Sequence, residues 1–199
     1  MKRAAIGVRM HSGWGALVAV SNRAGTVEVI DRRRVAITAP GTPGANQPYH
    51  FAENLELLEA EKFLGNCFAA SKRLALTAVR EVVGELRGRQ YSVVGSAVLL
   101  ASGRPLPPLS KILGSHALIH AAEGEFFREA FSKACEELDL SVTGFRERNL
   151  DECVQTISTE RRLGCGNKSL HLVVLSDRLD QGSEIGRTCC VGRSSKKQK

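Results

Sequence analysis

The chain has 199 residues, 43% apolar and 25% charged, enough for one ordinary domain with an appendage and too little for two full domains. That hydrophobicity excludes a chain disordered throughout. The net charge of +7 is uneven: residues 1–152 hold 19 Lys and Arg against 17 Asp and Glu, while residues 153–199 hold 9 against 4, so the body is close to neutral and the basic excess is mainly a tail.

Arg9 and His11 interrupt the apolar stretch that follows Lys2 and Arg3, so no secretory signal is expected. The longest charge-free run, Val35 to Ala52, contains Pro40, Pro43, Pro48, Gly41 and Gly44 and cannot form the roughly 20-residue apolar helix a bilayer needs, so no membrane span is expected. Six cysteines without a CxxC pair fit reduced thiols, and a cytoplasmic location is the expectation.

The first 37 residues read as three strands. Ile6, Val8 and Met10 alternate with Ala5, Gly7 and Arg9, Ser12-Gly13 supplies a turn, and Ala16 to Val20 is the next apolar run. After the polar Ser21 to Gly25, β-branched alternation resumes at Thr26 to Ile30 and continues past Arg32-Arg33-Arg34 into Val35 to Ile37. Such short connections imply an antiparallel meander. Ala39 to Pro48 is too rich in Pro and Gly for a helix.

From Phe51 to about Arg87, apolar residues recur every three to five positions, and Gly65-Asn66 offers a break, so two consecutive helices or one bent helix are expected. Tyr91 to Leu100 is apolar almost throughout, as a strand covered on both faces is. A helix is expected from about Leu109 or Ser115 to Leu138, interrupted at Gly114 and Gly124, then a short strand over Ser141 to Arg146 and a helix capped by Asn149. The order implies a mixed sheet covered by helices over residues 1–160, with 161–199 as a C-terminal extension. In that extension Leu170 to Leu175 reads equally as a sixth strand, and the last 20 or so residues are expected to be disordered.

This order, a three-strand meander followed by alternating helices and strands, resembles the ribonuclease H-like α/β fold over residues 4–160. Nucleases of that superfamily hold two divalent cations on carboxylates that begin inside the first strand. Here Ala4 to Met10 and the strand ending at Leu100 contain no Asp or Glu, so a two-metal nuclease site is not expected. The order is also similar to the middle domain of eukaryotic-type peptide release factors, whose Gly-Gly-Gln loop precedes a long helix. Gly44-Ala45-Asn46-Gln47 sits at the comparable place, with Gln47 as the loop residue and Ala45-Asn46 departing from the pattern.

If residues 115–125 are helical, His116, His120 and Glu123 fall at i, i+4 and i+7 on one face, the spacing at which imidazoles and a carboxylate can share a divalent metal or act as acid and base, with Glu125 beside them. The structural alternative is that the histidines edge the core, each satisfied by a carbonyl or a nearby Glu. Arg32, Arg33, Arg34, Lys72 and Arg73 are the basic clusters outside the tail and the candidate nucleic-acid-binding residues if the two clusters merge in space, the alternative being an exposed strand edge protected by charge; three consecutive arginines on a strand cannot all face one way. Trp14, between Gly13 and Gly15 at a hairpin, could form a ligand platform or cap a core. Two functions follow. One is a binding module for RNA or a translation component, by analogy of fold. The other is a hydrolase, metal-dependent or using His/Glu acid-base chemistry, built on His116, His120 and Glu123.

Overall fold

A computed structural model describes residues 1–23, 26–101 and 104–146. The order is β1 (Lys2–His11), β2 (Trp14–Arg23), β3 (Thr26–Ala36), α1 (Pro48–Ala52), α2 (Leu57–Gly88), β4 (Tyr91–Leu100), α3 (Leu109–Leu113), α4 (His116–Glu136) and β5 (Val142–Arg146). The strands form one sheet in the order β3-β2-β1-β4-β5. β1 pairs antiparallel with β2 and parallel with β4, β2 pairs antiparallel with β3, and β4 pairs parallel with β5. A meander extended at its first strand by parallel crossovers is the ribonuclease H-like mixed α/β sheet, as the order of elements predicts. The helix expected after Asn149, the Leu170 to Leu175 run and the C-terminal extension expected to be disordered lie outside the described residues.

β1 is central because its residues can be buried on both sides: Ala4 to Val8 are all buried. Side chains alternate across the sheet, so Ile6, Val8, Leu17, Ala19 and Val98 face one way and meet Val79, Val82 and Leu86 of α2 and Phe127 and Phe131 of α4 in one core. The same alternation divides the arginine run. Arg33 stands opposite Leu17, on the helix side, where its guanidinium pairs with Asp31 and with Glu85 of α2; Arg32 and Arg34 stand opposite Val18 and Ala16, on the outer side. Beside Arg33 the Glu85 carboxyl is held below its ordinary pKa.

Two expected helix breaks are absent. α2 runs unbroken through Gly65-Asn66, because its buried positions Ala60, Leu64, Cys67, Ser71, Ala75 and Val79 keep the helical period across them and packing outweighs the glycine's entropy cost. The real interruption lies earlier, between α1 and α2, where the chain turns after Ala52. α4 likewise passes through Gly124 without a break, held by Phe126, Phe127, Ala130 and Phe131, whereas Gly114 does end α3.

A Cβ added at Gly65 would meet nothing within 4 Å, and the residue is exposed in mid-helix. Gly65→Ala should therefore raise stability by about 0.5–1 kcal/mol, whereas Phe131→Ala, emptying a fully buried ring, should cost about 3–5 kcal/mol. Urea unfolding measures both, and a destabilising Gly65→Ala would contradict a continuous α2.

Candidate metal centre

The helical register of α4 places His116 and His120 one turn apart at its N-terminal end, both exposed, with Glu123 beneath them in the buried stripe that continues through Phe126 and Phe127. A third imidazole arrives from far away in sequence. His50 lies on α1, which starts at Pro48, a residue suited to a helix's first turn, and is pinned by the buried Ala52 and by the edge of the Tyr49 ring on Phe126, 6.1 Å between centroids. The ring of His50 lies 5.3 Å from that of His116 and 4.7 Å from that of His120, and the latter two are 4.4 Å apart.

One ligand nitrogen from each ring can be chosen so that all three lie within 4.8 Å of one another. A tetrahedral ion with bonds of about 2.0–2.1 Å would need them about 3.3 Å apart, a closure that turns of the exposed His116 and His120 rings would have to supply. Three protein ligands are the number that catalytic zinc sites use, with the fourth position left for water or substrate.

Glu123 explains why His50 points there. It is 3% exposed, and its Oε1 both accepts the His50 backbone N–H at 3.2 Å and lies 2.9 Å from His50 Nδ1. The hydrogen-bond network assigns the Nδ1 proton to this contact, which leaves the Nε2 lone pair for the cluster. A carboxylate behind a ligating imidazole fixes its tautomer and raises its basicity. The His50 carbonyl accepts from Asn54 Nδ2 at 3.3 Å, so both backbone groups of this residue are held.

The structure thus brings His116, His120 and Glu123 together and adds His50, which no local spacing could disclose because it lies 66 residues before His116. Glu125 points elsewhere: it pairs with Arg128 and lines a cleft with Tyr49, Leu64 and Phe68 that includes none of the histidines. Lys72 pairs with Glu137, and Arg73 is exposed on the same helix. Lys72 precedes Glu85, the partner of Arg33, by about 20 Å of helix, so the two basic clusters do not merge. Gln47 is exposed at the start of α1, where its carbonyl accepts the Phe51 N–H at 3.1 Å and its side chain makes no cap bond. Gly44 in that loop has φ +72° with the Phe51 ring against it, so a side chain there is excluded. The buried Cys135 thiol is pushed up to about 11 by burial and is correspondingly unreactive.

No protein-family model matches the chain, and no curated protein sequence does. Among solved structures the chain is similar to Thermus thermophilus RuvC in complex with a Holliday junction substrate, at 14% identity over 84% of this chain and 85% of that one, with a TM-score of 0.43. Thermus thermophilus RuvC on its own gives 14% identity over 85% and 86%, with a TM-score of 0.40. An Aquifex aeolicus member of the Ppx/GppA family is 8% identical over 83% of this chain and 42% of that one, with a TM-score of 0.38. No helix among the described residues is long and apolar enough to cross a membrane.

Removing the carboxylate leaves two His50 donors facing a buried gap. Glu123→Ala should cost about 1–3 kcal/mol in thermal or urea unfolding and detach α1 from α4, visible as faster hydrogen exchange at His50. An unchanged stability would mean that the contact does not hold α1.

Proposed function

We propose that the protein is a divalent-metal hydrolase whose ion is held by His50, His116 and His120, with Glu123 positioning His50. The observation that carries this reading is the meeting of three imidazoles from two helices over a buried carboxylate bonded to one of them. Three nitrogen ligands suit zinc-like ions better than magnesium, which prefers oxygen. An ion held there would supply Lewis-acid chemistry, making a water nucleophilic toward an ester or phosphoester. The chain's own residues hold and present the site: Glu123 orients His50, and His116 and His120 face solvent. This site is unlike the carboxylate cage of two-metal nucleases, for which β1 and β4 offer no acidic residue.

The binding-module reading, with RNA or a translation component as partner, has less support from the basic clusters taken together. Arg33 and Lys72 are committed to Glu85, Asp31 and Glu137.

Titration of zinc or manganese into the protein by calorimetry should show one ion per chain. His116→Ala, His120→Ala and His50→Ala should each abolish stoichiometric binding, and Glu123→Gln should weaken it about 10–100-fold. Metal at about 100 times its Kd should add about 2.7 kcal/mol of stability. Binding that survives the double variant His116→Ala/His120→Ala would refute the site, and binding without hydrolysis of any ester or phosphoester would leave a metal site but not a hydrolase.

A further inference from the structure

The loop of residues 38–47 arches over the first half of α2. Its curvature is its own, because Ala45 N–H donates to the Thr42 carbonyl at 3.2 Å and Gln47 N–H to that of Gly44 at 3.1 Å. Its ends are tied together by the Thr38 hydroxyl, which donates to Asn46 Oδ1 at 2.6 Å. Near its exit Gly44 lies against the Phe51 ring, and that ring stacks on Phe63 of α2 with centroids 4.6 Å apart. Between the arch and the helix lies a cleft of about 240 Å³.

On its helix side Phe63, Cys67 and Ser71 follow one another by a turn, with Asn66 and Ala70 beside them, and no lining residue carries a charge. Burial raises the Cys67 thiol above its ordinary pKa, so it stays neutral too. Ser71 is 3% exposed, and its hydroxyl has no hydrogen-bond partner among the described residues. A hydroxyl withdrawn from bulk water is unfavourable unless a partner reaches it, and the cleft it lines is where a partner can do so.

We propose that this cleft binds a compact neutral organic molecule, largely apolar, whose one polar group meets the Ser71 hydroxyl. A charged ligand would have to leave water with no opposite charge to receive it. The volume sets the size: it exceeds the roughly 150 Å³ that accommodates benzene and falls below the about 300 Å³ at which drug-sized pockets begin. A single ring bearing a hydroxyl satisfies both limits. Water is the competing occupant, since Thr42, Asn66 and Ser71 could each bond it. None of the clustered histidines lines the cleft, so the proposal does not depend on the metal centre.

Phenol, uncharged at neutral pH, is titrated in EDTA into the isotope-labelled full-length protein, beside toluene, which lacks the polar group, and benzoate, which adds a charge. Saturable NMR shifts at the amides of Thr42, Ala70 and Ser71 are expected with phenol at a Kd of about 1 mM or tighter, with toluene about 2–10-fold weaker and benzoate weaker still. Ser71→Ala should bring phenol down to the level of toluene and leave toluene unchanged, which a merely structural role of Ser71 would not do. Ala70→Leu, which fills the cleft, should remove the binding of both. Ala70 is partly exposed and the Ser71 hydroxyl holds no partner, so both variants should fold as the parent does, which circular dichroism checks. Should Ala70→Leu not fold, Ser71→Ala alone decides. Three results would overturn the proposal: no saturation by any probe, as for a cleft that holds water only; benzoate binding as tightly as phenol; or an unchanged ratio of phenol to toluene affinity in Ser71→Ala.

Discussion

A carboxylate withdrawn from water must find donors, and at Glu123 both donors are on His50. This pairing holds the short α1 against α4 and turns an imidazole toward the two histidines of the α4 terminus. Were Glu123 apolar, α1 would still have Ala52 and Tyr49 to bury, but nothing would select the His50 ring orientation. The candidate centre therefore exists because one polar residue occupies a position in α4 whose neighbours in the stripe, Ile119, Ala122, Phe126 and Phe127, are all apolar.

The sheet beneath does different things on its two faces. Its helix side is closed by α2 and α4, and Arg33, directed there, is matched with Asp31 and Glu85. Its outer side carries the remaining arginines of β1 and β3 with no acidic residue on these strands, and at its end three flat groups stack. Strand alternation, reset by the β2–β3 irregularity between Ala19 and Val20, produces this separation: moving β3 by one residue would send Arg32 and Arg34 into the core and Arg33 outward. The histidine cluster and the stacked side chains of His11, Trp14 and Arg34 belong to separate elements, the first to α1 and α4, the second to the meander.

Much of this could be read along the chain. The alternation in β1 to β3, the doubly buried β4 and the helical period of α4 are local, and each appears where its pattern places it. His116, His120 and Glu123 share a face because helical spacing is local too. Gly65 and Gly124 misled because a glycine's cost, about 1 kcal/mol, is small beside the packing of Leu64, Cys67, Phe126 and Phe127 around them. His50 could not be found, since its approach to α4 depends on how a Pro- and Gly-rich loop returns the chain.

By itself, then, the order of residues determined which segments are strands and helices, that a meander leads a mixed sheet, and which side chains share a face, because periods of 2 and 3.6 are properties of the backbone. Only the tertiary structure decided that Glu123 serves His50 rather than standing as a third ligand on α4, that Arg33 is spent on an ion pair while Arg34 stacks on Trp14, and that helices 66 residues apart meet. Those outcomes depend on distances between elements, which burial of the shared core sets and no local pattern encodes.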